Sequence, residues 1–490
     1  MTANLTYIGK KLISGGGWKQ LGYNLCFLVL TSTVPAEASE KLNSPLEQSN
    51  YQQLSGAAKR SEYLQRLVAY PSGEITVQLR ILGKTVNQHP IEALHIETGE
   101  RENPKSEKKL RVMLLAAQHG SEISGCEALL VMVGNWTTGR NRPDWLRNME
   151  ILIVPAANPD GIENKKRVNA RGVNLSTDYG LLAAPESTAL NKALMEFKPH
   201  VVLDVHESAV LKKKSLGAEG WLTDVEAQFE YANNPNVDKP LQDFSATVML
   251  PRILKTVRSN GLRANHYFGE ITRTHQNITH GGLSAHNFRN KAGLLGALSF
   301  LLENRLDTST GTYPTPRNIK ERVRKQMLCI DVFLAVCNQH SKQLIDLSER
   351  ARSSCQMTRT TWLQPAYVQD PAMPMIEIPL RRVDTGELVT HRFKYLKNIA
   401  SGPATDMPEV YRFFSQLDYF ADWLDKQGIA WSHYRVQGKP RCIEAKVAGQ
   451  NGRLLPLFLE SNSASSILRR LPFDQNQILI QGKHAELVPR

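Results

Sequence analysis

Cysteine is scarce in this chain of 490 residues, which contains only six. Cys26 lies in an apolar N-terminal segment, and the other five are odd in number and form no C-x-x-C pair. A disulfide-stabilised scaffold needs a denser and even set of cysteines, and a cysteine-bound zinc site needs closely spaced thiolates. The pattern therefore argues against both. It leaves open one disulfide bridge, whose partners the sequence does not identify.

Long apolar runs are also lacking. The run at residues 25–30 is too short for a membrane-spanning helix, which needs about 20 apolar residues. Lys10, Lys11 and Lys19 precede it, and Ala36-Glu37-Ala38 offers a small-x-small cleavage site. This order is typical of an export signal. We therefore expect residues 1–38 to be a signal peptide, the mature protein to be periplasmic or secreted, and no stable membrane anchor; a poorly packed N-terminal helix is the alternative.

A strong excess of one charge is absent too, since 60 Lys and Arg residues against 47 Asp and Glu residues give a net charge of +13. A basic surface favours anionic surroundings. The basic runs are short, however, acidic residues are interleaved with them, and no pattern of stacking aromatic residues accompanies them. We expect a solvated basic surface and no nucleic-acid partner.

Buried strands and helices alternate along the first two thirds of the chain. Fully apolar strands of this kind are typical of a largely parallel sheet that is covered on both faces. The predicted strands are residues 75–82, 93–97, 111–117, 151–155, 201–205 and 294–302, and the predicted helices are residues 122–136, 186–197 and 318–337. The expected fold is α/β, with a mixed, largely parallel central sheet and helices on both faces.

The pattern changes after about residue 352. Two proline-containing stretches are followed by predicted strands near residues 375–382 and 391–395 and by a predicted helix at residues 411–427. These indicate a smaller C-terminal α+β or β-rich unit. The predicted division of the chain is a signal peptide at 1–38, a linker at 39–59, a catalytic domain at 60–345 and an accessory domain at 352–490.

The residues with metal-binding chemistry lie where predicted strands end. His119-Gly120-Ser121-Glu122 forms a strand-to-helix turn, and His206 follows the strand at residues 201–205. A catalytic zinc site uses three nitrogen or oxygen ligands and keeps one position open for water. Because ligands meet beyond the carboxyl ends of parallel strands, these side chains are expected to converge. Asp204 or Glu207 could orient His206 through a hydrogen bond.

Further motifs follow in a recognisable order. After H-x-x-E come Asn158-Pro159-Asp160-Gly161, the segment R-V-N-A-R-G-V-N-L at residues 167–175, the strand-end histidine, and Glu303 at the end of a later strand. In order and spacing these motifs resemble the carboxypeptidase A-type zinc metallopeptidases over about residues 60 to 345. The resemblance is to a divergent, bacterial-type member of the family.

The resemblance implies one Zn²⁺ per chain, held by His119, Glu122 and His206. It also implies that Arg167 polarises the substrate carbonyl and that Glu303 is the general base. The expected activity is hydrolysis of a peptide or amide bond by metal-activated water, with a peptide or a cell-wall peptide as substrate.

One departure from the family pattern concerns the substrate. Where the family has D-L-N-R, this chain has Asn174, Leu175, Ser176 and Thr177. The family's Asn-Arg pair binds the substrate's terminal carboxylate, and an uncharged threonine hydroxyl cannot bind a carboxylate as an arginine does. Strict C-terminal exopeptidase activity is therefore in question. Either the substrate lacks a carboxylate there, or another cation binds it; the candidates are Arg171, Arg289 and Arg305, of which we favour Arg289.

The remaining substrate-binding candidates are weaker. Asn174, Ser176 and Thr177 occupy the positions of the family's carboxylate-binding segment, and Tyr267 is expected to donate a hydrogen bond over the substrate, as a tyrosine does in the family. The histidine-rich stretch with His266, His275, His280 and His286 shows no tight ligand spacing. We interpret these histidines as loop or substrate-cleft residues, with a second metal site as the alternative.

Two other functions fit parts of the pattern. A zinc deacylase acting on N-acyl amino acids would use a similar H-x-x-E site, although the predicted export signal and the long C-terminal unit favour a peptidase. A non-catalytic binding protein with a decayed site would explain the lost Asn-Arg pair. All three predicted ligands and Glu303 remain, which argues against decay. The oligomeric state is not indicated by the sequence.

Overall fold

The computed structural model describes residues 42–73, 75–98, 108–209, 216–306, 319–354, 360–435, 441–473 and 480–483. The predicted signal peptide and the first residues of the predicted linker lie outside these ranges. None of the described helices combines the length and the apolar character that crossing a membrane requires.

An eight-stranded sheet forms the centre of the protein. Its strand order is β1-β2-β4-β3-β5-β9-β7-β8. The β4–β3, β3–β5, β5–β9 and β7–β8 pairs are parallel, and the others are antiparallel. The predicted α/β fold with a mixed, largely parallel sheet is confirmed. The first nine strands of the chain, of which all but β6 belong to this sheet, are β1 Ile75–Lys84, β2 Pro90–Thr98, β3 Leu110–Ala116, β4 Met149–Val154, β5 Val201–Ala209, β6 Trp221–Thr223, β7 Ala227–Tyr231, β8 Ala264–His266 and β9 Leu298–Leu306.

Helices cover the sheet and share its apolar core. Strands such as β3 are buried along nearly their whole length because helices pack over the sheet, which explains their continuous apolar sequence. The helices are α1 Pro45–Gln48, α2 Ala57–Ala69, α3 Ser124–Thr138, α4 Pro159–Glu163, α5 Pro185–Phe197, α6 Lys239–Phe244, α7 Leu250–Ser259, α8 Phe288–Leu294, α9 Ile319–Gln339 and α10 Ser341–Ser354. Short 3₁₀ turns occur at Asp144–Asn148, Leu175–Thr177, Leu216–Glu219 and Leu468–Arg470, and a π-helical turn, Ser245–Met249, joins α6 to α7.

Several predicted boundaries were wrong. The strand expected at residues 201–205 continues to Ala209, and β9 continues to Leu306, so His206 and Glu303 lie within their strands and do not follow them. The strand expected at residues 294–302 begins only at Leu298, because α8 continues to Leu294 and a turn with Gly296 at φ +77° separates the two. The helix expected at residues 411–427 begins only at Leu417. Its first residues form a strand instead, and Gln416, in the left-handed conformation, starts the helix.

The described residues of the C-terminal region form small antiparallel sheets and three α-helices. Part of it joins the large apolar core, and part forms a second apolar cluster with the chain between Leu216 and Ile278. Strand β12 also pairs with β6. The elements are β10 Thr360–Trp362, β11 Ala366–Val368, β12 Met375–Arg382, β13 Leu388–Lys394, β14 Asn398–Ala400, β15 Ala404–Asp406, β16 Val410–Phe413, α11 Leu417–Lys426, β17 Trp431–Arg435, β18 Arg441–Lys446, α12 Gly449–Gly452, α13 Leu455–Leu459 and β19 Ile480–Lys483.

The described part of the predicted linker also packs against the rest of the chain. Leu42 and Leu46 are buried in the main core. Ser55 donates two hydrogen bonds, from its backbone N–H and its hydroxyl, to the buried carboxylate of Glu127 in α3. Residues 42–56 therefore pack against the core of the central sheet and α3.

Candidate metal centre

His119 and Glu122 follow the carboxyl end of β3 and meet His206, which lies within β5 near its carboxyl end. All three are buried, and one donor atom from each lies within 4.8 Å of the others. Nδ1 of His119 is 2.8 Å from one carboxylate oxygen of Glu122, Nδ1 of His206 is 2.9 Å from the other, and the two nitrogens are 3.2 Å apart. Two ligands about 2.1 Å from one ion at a tetrahedral angle are separated by about 3.4 Å. This donor set therefore fits a zinc-sized cation.

The backbone turn between β3 and α3 directs His119 and Glu122 to the same point. A Cβ atom on Gly120 would lie 2.0 Å from the carbonyl carbon of Gly161, so only glycine fits where the two turns touch. Asn158 joins the turns by donating a hydrogen bond from Nδ2 to the carbonyl oxygen of Gln118 and accepting one from the N–H of Gly161. The H-G-x-E and N-P-D-G motifs therefore depend on each other structurally.

A chain of buried hydrogen bonds orients His206. Its Nε2 lies 3.0 Å from Oδ1 of Asp204, and Gln118 donates to both oxygens of that carboxylate. Tyr179 in turn donates to Oε1 of Gln118. Burial favours the neutral ring, but Asp204 and Glu122 together outweigh it and hold the pKa of His206 well above its usual value. This arrangement fixes the ring with Nδ1 toward the metal centre.

Asn174 and Ser176 contact the opposite side of the His119 ring. Oδ1 of Asn174 lies 3.0 Å from Nε2 of His119, and Oγ of Ser176 lies 2.9 Å from the same nitrogen. Thr177 is exposed beside them. Asn174 and Ser176 are therefore placed to orient His119, in addition to the substrate contacts that the sequence predicts for them. Burial lowers the pKa of His119, which favours the neutral ring that a metal ligand requires.

Glu303 stands beside this centre because β9 is the parallel neighbour of β5. It is the direct register partner of His206, and Ser208 donates a 2.7 Å hydrogen bond to its Oε2. Burial raises the pKa of Glu303 to about 7. Arg167 also reaches the centre, where its Nη1 donates to Oε1 of Glu122 at 2.8 Å. Its side chain is 53% exposed and so borders the solvent.

The three candidate cations for a substrate carboxylate have different surroundings. Arg171 is exposed, and Arg305 is buried and donates to the carbonyl oxygen of Thr223. Arg289 is only 4% exposed, and among the described residues it has no carboxylate within ion-pair distance and no hydrogen-bond partner for Nε. A buried guanidinium without an acidic partner is suited to bind an anion from outside the protein.

Tyr267 lies near both Arg289 and Glu303. Burial is the main cause of its raised pKa; the charge of Glu303 raises it further and the charge of Arg289 lowers it. Both groups are therefore near the phenol. The ring packs against Gly281, where an added Cβ would lie 2.9 Å from Cε1 of Tyr267.

A second group of possible metal ligands comprises Glu230, His266 and His280. Nε2 of His266 is 2.6 Å from Oε2 of Glu230, but the two histidine rings are stacked at 3.7 Å and 15°. Stacked rings do not direct their in-plane lone pairs toward one point. Both nitrogens of His280 also have protein partners, Tyr267 O and Tyr395 Oη. This geometry favours a hydrogen-bonded cluster over a metal site.

Several residues of the site are not identified by the sequence motifs. Gln118, Tyr179 and Ser208 are hydrogen-bonded to Asp204, Gln118 and Glu303 respectively, yet none stands in a recognisable pattern. Gln118 had one available signal, since it directly precedes His119 at the end of an apolar strand. Tyr179 had none, because it reaches Gln118 from 61 residues away.

Comparison with known proteins agrees with this geometry. Residues 62–194 match the family model described as zinc carboxypeptidase. The predicted resemblance to zinc carboxypeptidases is confirmed. The matched segment includes His119, Glu122, Arg167 and the segment 174–177; His206 and Glu303 lie beyond it.

Similar curated proteins include carboxypeptidase 2 of Trichophyton rubrum, which is 29% identical over 220 residues, 44% of this chain and 40% of that protein. Carboxypeptidase SOL1 of Arabidopsis thaliana is 32% identical over 128 residues, a quarter of each chain. The matched part of this chain thus spans about two fifths of the length of the Trichophyton rubrum protein. A solved metallo-carboxypeptidase from Burkholderia cenocepacia aligns with a TM-score of 0.44 at 17% identity, over 58% of this chain and 69% of that one.

Four cysteines lie in the described part of the chain: Cys126, Cys329, Cys337 and Cys442. All are buried free thiols. Burial raises the pKa of Cys126 and of Cys329 to about 12, so both are protonated at neutral pH. These four do not form the single bridge that the sequence left open.

Proposed function

We propose that this protein is a zinc-dependent peptidase that hydrolyses a peptide bond near the C-terminus of its substrate. The observation that supports this most strongly is the convergence of His119, Glu122 and His206 beside Glu303. Three nitrogen and oxygen donors with an adjacent carboxylate are the set that metal-assisted amide hydrolysis requires. The sequence match to zinc carboxypeptidases supports the same conclusion independently.

Zinc held by these three side chains would lower the pKa of a bound water to about 7 and so supply the nucleophile. The remaining work belongs to the protein. Glu303 accepts the proton from the attacking water and returns it to the leaving nitrogen, a role that suits a buried carboxylate with a pKa near 7. Ser208 holds one oxygen of that carboxylate through its hydroxyl.

Arg167 is the proposed stabiliser of the developing oxyanion. It is held against the centre by its contact with Glu122, and its half-exposed side chain is accessible to a substrate carbonyl. A fixed guanidinium at this place would contribute to transition-state stabilisation because the charge it neutralises appears only during the reaction.

Arg289 is proposed to bind the substrate carboxylate. It would supply the positive charge that Thr177, at the position of the family's arginine, does not carry. Its burial, its Nε without a hydrogen-bond partner, the absence of an acidic partner among the described residues and its proximity to Tyr267 support this role. Tyr267 would then lie over the bound peptide, between the carboxylate and the scissile bond. The substrate class that follows is a peptide, including a cell-wall peptide, with a free terminal carboxylate.

The deacylase and the binding-protein alternatives are less well supported. The curated relatives are named carboxypeptidases, which favours a peptide over a small N-acyl amino acid. A decayed site would not be expected to keep three converging ligands, their hydrogen-bonded supports and Glu303.

We also propose that the protein acts outside the cytoplasm, after removal of residues 1–38. N-terminal sequencing of the mature protein is expected to begin at Ser39. An unprocessed N-terminus on exported or cell-associated protein would contradict the proposed signal peptide.

The test of the proposed function combines metal analysis with peptide hydrolysis. Purified protein should contain about one zinc per chain, release the C-terminal residue of peptides, lose activity on chelation and regain it with Zn²⁺. His206→Ala should lose both zinc and activity, whereas His433→Ala, at an exposed position of β17, should retain both. Protein that is metal-free after native purification and inactive with added zinc would overturn the proposal.

A further inference from the structure

The C-terminal region contacts the catalytic part of the chain at the segment that carries Tyr267 and Arg289. Backbone hydrogen bonds join Ile278 to Lys394 and to Leu396, at 2.9 Å each. The second apolar cluster contains Phe268, Ile271 and Ile278 from this segment together with residues of β12 and β13. The substrate-facing segment at residues 267–289 is therefore packed directly against the C-terminal strands.

Tyr395 reaches Tyr267 through His280. The carbonyl oxygen of Tyr267 only accepts hydrogen bonds, so the 2.8 Å contact places the proton of His280 on Nδ1. Nε2 must then be the acceptor, and the hydroxyl of Tyr395 donates to it at 2.5 Å. Burial lowers the pKa of His280 to about 4, which keeps the ring neutral and this arrangement intact at neutral pH. The hydroxyl of Tyr395 thus fixes the ring that fixes the backbone of Tyr267.

Tyr367 reaches Arg289 in a comparable way through Asn233. Nδ2 of Asn233 donates to the hydroxyl oxygen of Tyr367 at 2.8 Å, and its Oδ1 accepts from Nη2 of Arg289 at 3.0 Å. Asn233 also donates to the carbonyl oxygen of His280, which connects the two chains of hydrogen bonds. Because Asn233 is buried, loss of either partner leaves a polar group unsatisfied.

We propose that the C-terminal region completes the substrate-binding wall, with Tyr367 and Tyr395 acting as positioning residues for Arg289 and Tyr267. This inference rests on the proposed function, in which those two side chains bind the substrate. It gives the C-terminal region a task in substrate recognition. Neither tyrosine touches the metal centre, so their effect falls on substrate binding and leaves the chemical step unchanged.

The test compares Tyr367→Phe and Tyr395→Phe with Tyr434→Phe, a matched change at an exposed tyrosine of the same region. A neutral hydrogen bond contributes about 0.5–1.5 kcal/mol, which corresponds to about two- to tenfold in binding. We expect KM for peptides with a free C-terminus to rise about three- to tenfold in the first two variants, with kcat within about twofold of the parent and zinc content unchanged. Tyr434→Phe should match the parent in all three quantities.

Hydrogen exchange provides a readout that does not depend on activity. Amides in residues 264–289 should exchange faster in Tyr367→Phe and Tyr395→Phe than in the parent and in Tyr434→Phe. Parental KM values in both variants, or a fall in kcat at constant KM, would overturn the proposal. A parent protein without zinc and without turnover would instead contradict the proposed function. In that case, unchanged exchange of residues 264–289 in Tyr367→Phe and Tyr395→Phe would separately contradict the positioning network.

Discussion

His206 and Glu303 are direct partners in the register of the parallel strands β5 and β9. Side chains opposite each other on neighbouring strands lie about 5 Å apart and point to the same face. This pairing brings a proposed metal ligand and a proposed base from positions 97 residues apart to one place. The sheet, and not a loop, therefore sets their separation.

Replacing Glu303 by Gln should separate metal binding from catalysis. The amide keeps the shape of the side chain and its contact with Ser208 but cannot accept a proton from water. We expect turnover to fall about 10²- to 10⁴-fold, with zinc content unchanged. Steady-state kinetics and metal analysis provide the measurements, and Glu196→Gln, at a 67% exposed position, serves as the control. Retained turnover in Glu303→Gln would remove this residue from the mechanism.

Replacing Arg289 by Gln should weaken recognition of the substrate's terminal carboxylate. A hydrogen bond to a charged group contributes about 1.5–3 kcal/mol, so kcat/KM for a free C-terminus should fall roughly ten- to hundredfold. Peptides with an amidated C-terminus should be affected much less. The ratio between the two substrates is the measurement, and Arg147→Gln, at a 69% exposed position, is the control. An unchanged ratio would show that Arg289 does not bind the carboxylate.

Gly120→Ala should disturb the metal centre through backbone packing alone. The added Cβ would overlap the backbone of Gly161, so the turn carrying His119 and Glu122 must shift. Overpacking of this kind typically costs about 1–3 kcal/mol. We expect a lower melting temperature and weaker zinc retention during dialysis. Gly282→Ala, whose Cβ would have no neighbour closer than 3.9 Å, should leave both nearly unchanged; equal behaviour of the two variants would contradict the prediction.

Lys291 should make stability depend on pH. Burial lowers the pKa of its ammonium group to about 7, from the usual 10.5. Between these values the unfolded chain binds more protons than the folded one, so this lysine's contribution to stability rises with pH from about 7 to 10.5 and is lost as the pH falls toward 7. As the pH rises, the free energy of unfolding of the parent should therefore increase relative to that of Lys291→Met, by up to about 1.4 kcal/mol per pH unit.

Chemical denaturation at pH 7, 8 and 9 measures this difference. Lys192→Met, at a 67% exposed position, should show no such relative gain. A constant difference between the parent and Lys291→Met across this pH range would indicate that Lys291 is charged in the folded protein.

The convergence of the candidate metal centre could be predicted because neighbouring parallel strands bring side chains near their carboxyl ends to one edge of the sheet. That rule, applied to His119, Glu122, His206 and Glu303, required only the correct assignment of three strands. The orienting residue of His206 was left open between Asp204 and Glu207. Strand alternation separates them: Asp204 shares the face of His206, whereas Glu207 points to the other face and pairs with Arg322 of α9.

Other parts of the site could not be predicted from local patterns. Asn174 aligns with a substrate-binding segment, yet its amide oxygen contacts His119, and only the fold of the loop reveals this. The contacts of Tyr367 and Tyr395 with Asn233 and His280 join residues more than 100 positions apart. No periodicity or motif encodes such contacts, because they arise from the packing of strands that come late in the chain.

The packing of α11 limits how far this protein can be shortened for laboratory use. Trp423 and Gln427 both donate to the carbonyl oxygen of Gly180, directly after the tyrosine that supports Gln118. A fragment ending near residue 345 would leave that carbonyl without these donors and expose the apolar faces that Trp423 and Phe458 cover. Truncated forms intended for crystallisation or assay should therefore retain the C-terminal helices, since their removal would loosen the packing around Tyr179 and Gln118.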